Sequence, residues 1–124
     1  MIKRYSRKEL VSIWDEYNKY KIWLNIELAA AEGMEKLKII PKGVSSSIKK
    51  KAKIKVNRIH NIESKVKHDV IAFLTSITEQ VGLKGRFLHQ GMTSSDVLDT
   101  CFNIQLLQSG KILLKDIDDI LVIL

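Results

Sequence analysis

The chain has 124 residues, of which 45% are hydrophobic and only 6% aromatic, with 6 Gly and 1 Pro. That leaves room for one domain with a mainly aliphatic core and argues against a turn-rich β fold, in favour of long helices. A formal charge of +7 raises a nucleic-acid reading, which depends on where the cations lie.

Ser6 followed by Glu9 has the form of a capping box and predicts a short helix through Leu10, Ile13 and Trp14. Apolar residues continue at Tyr17, Tyr20, Leu24, Leu28 and Ala31, so an amphipathic helix is expected to about Lys38, with a break near Asp15. Ile39-Ile40-Pro41 should end it, because the residue before proline avoids the helical region. Pro41 then fits the first turn of a following helix. That helix opens a Lys-rich run including Lys49, Lys50, Lys51, Lys53, Lys55, Arg58 and Lys65, against the single acid Glu63. Because the run lacks an aromatic residue on which a base would stack, it reads as a solvated face rather than a nucleic-acid surface.

A helix over 56–65 is expected to pack through Ile59 and Ile62, and an apolar one carrying Val70, Ile71, Phe73, Leu74 and Ile77 follows His68-Asp69. Gly82, Gly85 and Gly91 bracket a loop from which Phe87 and Leu88 tuck inward. Thr93 and Asp96 form a second capping box at the head of one long helix. Leu106, Leu113 and Ile120 recur along it every seven residues, with Ile117 and Leu124 between, as on a helix that packs lengthwise against others. The pattern is still running at Leu124 without a stop signal, so a truncated longer protein is expected. The expected architecture is all-α, with a helical domain over 1–110 and the start of a bundle helix over 111–124.

Cys101 stands alone in an apolar helical pattern, which excludes an intramolecular disulfide and suggests a small core residue. No signal peptide or membrane-length apolar run is present, and the reducing cytosol is the expected compartment.

Two segments carry more polar chemistry than a plain core requires. Lys67-His68-Asp69 places a cation, an imidazole and a carboxylate in succession at a helix start. His68 is suited to proton donation and Asp69 to capping or orienting a neighbour. The plainer alternative makes Asp69 the cap and His68 an exposed loop residue. In the second segment, His89 to Asp96, hydroxyls and free N–H groups gather at a helix N-terminus after Gly91, where negative charge is favoured. His60 reads as solvated, and His89 either contacts a ligand or packs beside Phe87.

Arg4-Tyr5-Ser6, Lys67 through Phe73 and Gly91 through Thr100, in this order and at these separations, resemble the bacterial adenylosuccinate lyases. The likeness runs over the whole chain. The Thr93-Ser94-Ser95-Asp96 segment is shared more widely across the fumarase, aspartase and argininosuccinate lyase superfamily. Arg4-Tyr5-Ser6 and the His68-Asp69-Val70 segment narrow the choice, with a carboxymuconate cycloisomerase relative as nearest competitor. The resemblance implies elimination of fumarate from adenylosuccinate, giving AMP, and from the succinyl-carboxamide ribotide, with neither metal nor organic cofactor. It implies that Arg4 and Tyr5 bind the nucleotide part of the succinylated purine substrate. Lys67, His68 and Asp69 would line the site, with His68 assisting proton transfer or holding substrate, and Thr93 and Ser94 would hold the succinyl carboxylate. Relatives often carry Arg at the position of Lys67, and Lys lacks that bidentate fork.

The resemblance further implies a cytoplasmic homotetramer built on a helical bundle, with sites drawn from three subunits. Its principal acid and base lie beyond residue 124, so the 124 residues alone are expected to be inactive. A reading of another class, a basic helical module binding RNA or an acidic protein, uses the net charge but leaves Arg4-Tyr5 and the Thr93 cap without a purpose.

Overall fold

The computed structural model describes residues 3–124, and among these every regular element is a helix. A 3-10 turn over Lys3–Tyr5 leads into α1 (Lys8–Ile13), α2 (Glu16–Lys36), α3 (Val44–Lys51), α4 (Val56–Val66) and α5 (Asp69–Val81). A second 3-10 stretch, Gly82–Phe87, precedes α6 (Ser94–Ile123).

The helix ends show which local signals were used. Arg7, not Ser6, is the N-cap of α1, so that helix starts one residue later than a Ser6–Glu9 capping box requires. Asp15 separates α1 from α2 and accepts the Tyr17 N–H at 3.0 Å, the break expected there. α2 stops short of the proline. Lys38 turns left-handed at φ 60°, its N–H reaching the Glu35 carbonyl at 3.1 Å and the Ile39 N–H reaching Met34 at 2.9 Å. That pair of bonds is a Schellman closure, so backbone geometry ends the helix before Pro41 can. Pro41 lies in the turn ahead of α3 rather than in its first turn, and Glu35 accepts the N–H groups of Gly43 at 3.1 Å and Ser45 at 2.6 Å.

The core forms where α2 crosses the α4–α5 pair. It is mainly aliphatic, with Ile48, Ile59, Ile62, Val70 and Ile77 buried, yet its largest members are Tyr20, Trp23 and Phe73. Tyr20 and Phe73 stack at 5.9 Å, and Trp23 meets each edge-on, at 5.2 Å and 5.5 Å. Such pairs add about 0.5–1.5 kcal/mol each beyond the area they bury. A low aromatic count therefore understated the aromatic share at the centre. The buried stripe of α2 also runs through Trp23 and Glu27, while Tyr17, expected inward, is exposed.

Gly85 lets the second 3-10 stretch lie against α5, since a Cβ there would come within 2.6 Å of Thr78 Oγ1. Phe87 is half-buried and Leu88 buried, as expected. α6 packs on the domain through Val97, Cys101 and Gln105, and burial keeps the Cys101 thiol protonated by raising its pKa. Gln105 Nε2 and Asn18 Nδ2 both donate to the Ile13 carbonyl at 2.8 Å, and Arg7 pairs with Asp116, tying α1 to α6. Beyond these contacts Leu113, Ile117, Ile120 and Leu124 are all exposed. No helix among the described residues is long and apolar enough to cross a membrane.

Candidate functional site

The seven residues singled out from sequence fall at three places. Arg4 and Tyr5 lie in the first 3-10 turn, both exposed, with the guanidinium 4.9 Å from the Tyr5 ring centre. Lys67, His68 and Asp69 form the α4–α5 junction, and Thr93 and Ser94 begin α6. Among the described residues no hydrogen bond or ion pair joins one place to another.

The α4–α5 junction is tight. Lys67 closes α4 with φ 55°, a left-handed conformation uncommon for a side-chain-bearing residue, and donates its N–H to the Glu63 carbonyl at 2.8 Å. His68, not Asp69, is the N-cap of α5. Its Nδ1 lies 3.4 Å from the Ile71 N–H and 3.6 Å from Asp69 Oδ1. Neutral, it can accept from the helix; protonated, it faces a carboxylate. Asp69 accepts the Val70 N–H at 2.7 Å, stabilising the helix start without being its cap. Both His68 and Lys67 are exposed, and Lys67 lines a cleft of about 480 Å³ with His60, Glu63 and Ser64.

Acidic groups of α2, α4 and α5 gather beside this junction. Burial pushes the Tyr20 hydroxyl up to about 12, and the charges of Glu16, Glu63 and Asp69 push the same way. His60 is exposed but not merely solvated, because its Nε2 sits 2.9 Å from Glu16 Oε1. The Lys-rich run behaves as expected of a solvated face: Lys49, Lys50, Lys51, Lys53, Lys55, Arg58 and Lys65 are all exposed.

At the head of α6, Asp96 accepts the Thr93 N–H at 2.8 Å, one arm of the capping box read from sequence. The Ser94 side chain makes no hydrogen bond among the described residues, and its hydroxyl stands in the first turn, where the helix dipole favours an anion. Just upstream, His89 is held at φ 60° with its N–H 2.8 Å and Nδ1 2.7 Å from the two oxygens of Glu27. Neither option left for His89 named this partner: its ring pairs with the buried carboxylate of Glu27. Glu27 was missed from sequence, although an acid spaced seven residues after Tyr20 and four before Ala31 stands on the apolar stripe.

A larger cleft of about 930 Å³ between α2 and α3 contains none of these residues, and its Glu35 is occupied in capping α3. No group of three His, Cys, Asp or Glu among the described residues is placed to hold a metal ion.

No family model matches the chain. It is 44% identical over 119 residues to the adenylosuccinate lyase of Thermotoga maritima, covering 96% of this chain and 28% of that enzyme. It is 43% identical over 124 residues to that of Aquifex aeolicus (98% and 28%) and 41% to that of Streptococcus mutans (100% and 29%). The chain thus spans little more than a quarter of the length of the curated relatives it matches. In structure it resembles a fumarate lyase from Mesorhizobium sp. BNC1, with a TM-score of 0.73 over 82% of this chain and 25% of that one; at 19% identity this shows a shared fold. With identities of 41–44% along almost its whole length, the chain belongs to the adenylosuccinate lyase family and corresponds to the N-terminal part of those enzymes.

Proposed function

We propose that these 124 residues supply the substrate-holding N-terminal part of a cytoplasmic adenylosuccinate lyase, which releases fumarate from adenylosuccinate to give AMP and acts likewise on the succinyl-carboxamide ribotide. The identity to three such enzymes along nearly the whole chain carries the reading. In the elimination a base removes a proton from the succinyl carbon next to the one bearing nitrogen. The electron pair becomes the fumarate double bond, the C–N bond breaks, and the nitrogen takes up a proton. Negative charge spreads onto the adjoining carboxylate on the way, and fixed donors aimed at that carboxylate lower the barrier.

Thr93 and Ser94, at the head of a helix of 30 residues, suit that role. Arg4 and Tyr5, an exposed cation against an aromatic face, suit the nucleotide part. Lys67 and His68 add charge and a titratable ring at a junction whose backbone is held left-handed, and backbone strain of this kind concentrates at functional sites. Asp69 fixes the start of α5 beside them. The principal acid and base are assigned to the remainder of the enzyme.

Assembly follows from the same reading. The division into 1–110 and 111–124 belongs to that reading; it is supported by the buried residues of α6 ending at Gln105, with the Arg7–Asp116 pair beyond. Its exposed Leu113, Ile117 and Ile120 suit the bundle of a homotetramer, in which neighbouring subunits complete each site.

The decisive experiment replaces the matching segment of the Thermotoga maritima enzyme with this chain and follows fumarate release from adenylosuccinate. The hybrid is expected to turn over, Ser94→Ala within it to lose about 10²-fold in kcat, and the 124 residues alone to release nothing. A hybrid that assembles as its parent does and yet releases no fumarate overturns the reading.

A further inference from the structure

Glu27 is the one charged side chain among the buried residues described, 1% exposed on the α2 stripe that carries Tyr20, Trp23 and Ala31. A carboxylate in that position has lost its hydration and must be compensated by hydrogen bonds. Both oxygens are committed to a single residue: Oε2 accepts the His89 N–H at 2.8 Å and Oε1 lies 2.7 Å from His89 Nδ1. His89 sits at φ 60°, a conformation a side-chain-bearing residue keeps only where its surroundings over-determine it. Stability alone is a poor account of this arrangement, since apolar residues filling the same space commonly serve as well as a buried ion pair. What the pair supplies is a fixed ring in the turn that leads into Thr93.

The chemistry of the pair sets the state of that ring. A carboxylate only accepts, so Nδ1 must carry a proton. Nε2 has no protein partner among the described residues, and the His89 side chain is 21% exposed. An anion arriving at Nε2 would place an acceptor on each side of the ring, which favours the doubly protonated, cationic form.

We propose that Glu27 is a positioning residue of the ligand site: its buried carboxylate holds the His89 backbone left-handed and Nδ1 protonated, leaving Nε2 as the edge offered to an anionic group of the ligand. The proposal rests on the reading of the α6 entrance as substrate-binding. Its first half, the fixed ring, stands without that reading.

The test uses the chain labelled with 15N at histidine, with ring protonation read from long-range 15N–1H correlations. His89 is expected to show a protonated Nδ1 without ligand. Titration with inorganic phosphate and, separately, with succinate is expected to move it to the imidazolium pattern, the stronger response showing which anion the edge favours. Glu27→Gln keeps the shape but turns an amide NH2 toward one of the two donors. In that variant, with its helical content unchanged, His89 should revert to the Nε2–H form and the affinity for the preferred anion should fall at least tenfold.

A neutral Nε2–H ring in the unmodified chain overturns the proposal even if Glu27→Gln fails to fold. So does a folded Glu27→Gln variant with unchanged ring state and anion affinity. No response of His89 to either anion overturns the ligand half. None of these readouts needs turnover, so an inactive hybrid enzyme beside a clamped, anion-responsive His89 would remove the lyase reading and leave the role of Glu27 in place.

Discussion

α2 and α6 are the two long helices, and both carry apolar residues at helical spacing, yet the fold treats them differently. α2 buries Tyr20, Ile22, Trp23, Glu27, Leu28 and Ala31 along its 21 residues. α6 buries only Val97, Cys101 and Gln105 along its 30, all in its first half, and leaves Leu113, Ile117 and Ile120 in solvent. An apolar stripe therefore states that a helix has a partner, not where the partner is. For α2 it is the same chain, with α3, α6 and α4 beside it and Phe73 of α5 against its aromatic residues. On the far half of α6, Leu113, Ile117 and Ile120 are left uncovered by the described residues, which the proposed bundle assembly would explain.

The contrast can be broken at its strongest point first. Phe73→Ala removes the ring that joins α5 to Tyr20 and Trp23 of α2, and a loss of about 3–5 kcal/mol is expected in urea unfolding. A smaller change would show the core to be more plastic than its packing implies. Gly85→Ala comes next. The new Cβ would lie 2.6–2.9 Å from three atoms of the Thr78 side chain, and overpacking of this kind costs about 1–3 kcal/mol. The double variant Gly85→Ala, Thr78→Ser should recover part of that loss if the methyl clash is its source.

Glu35 gives a pH-dependent prediction. Its carboxyl is held below the usual carboxylate range first by the Ser45 N–H and then by that of Gly43, at the entry to α3. The folded value is the depressed one, so the contribution is present above the unfolded carboxyl value and is lost as pH falls through the folded one. Thermal unfolding should show Glu35→Gln closest to the unmodified chain at acid pH and less stable than it near neutrality, and a constant offset across pH would contradict this. The smallest effect on monomer stability is expected from Ile117→Ser on the free face of α6, within about 0.5 kcal/mol. Sedimentation should nonetheless show weaker self-association, and unchanged association would place the contact surface elsewhere.

Much of the architecture was legible because it depends on local periodicity and capping. Asp15 interrupts the first helical stretch, Ile59 and Ile62 face inward, and Asp96 closes on Thr93, each where spacing indicated. Helix ends were less legible. The left-handed turn at Lys38 and the cap at His68 depend on backbone torsions that Lys and His do not announce, whereas Pro41 and Asp69 nearby suggested other endpoints. The candidate site followed the same division. Its residues were visible as polar groups at helix starts, but their partners were not, because Glu27 and His89 are separated by 62 residues.

By itself, the sequence determined the helical class, the order of the helices, the solvated lysine face and the kinship with adenylosuccinate lyases, all properties of residue type and spacing along the chain. Only the tertiary structure decided that a carboxylate on the apolar stripe of α2 would be buried against His89, and that the far seam of α6 would be left exposed among the described residues. Those outcomes depend on which surfaces meet, and a contact across 62 residues leaves no periodic trace in either segment.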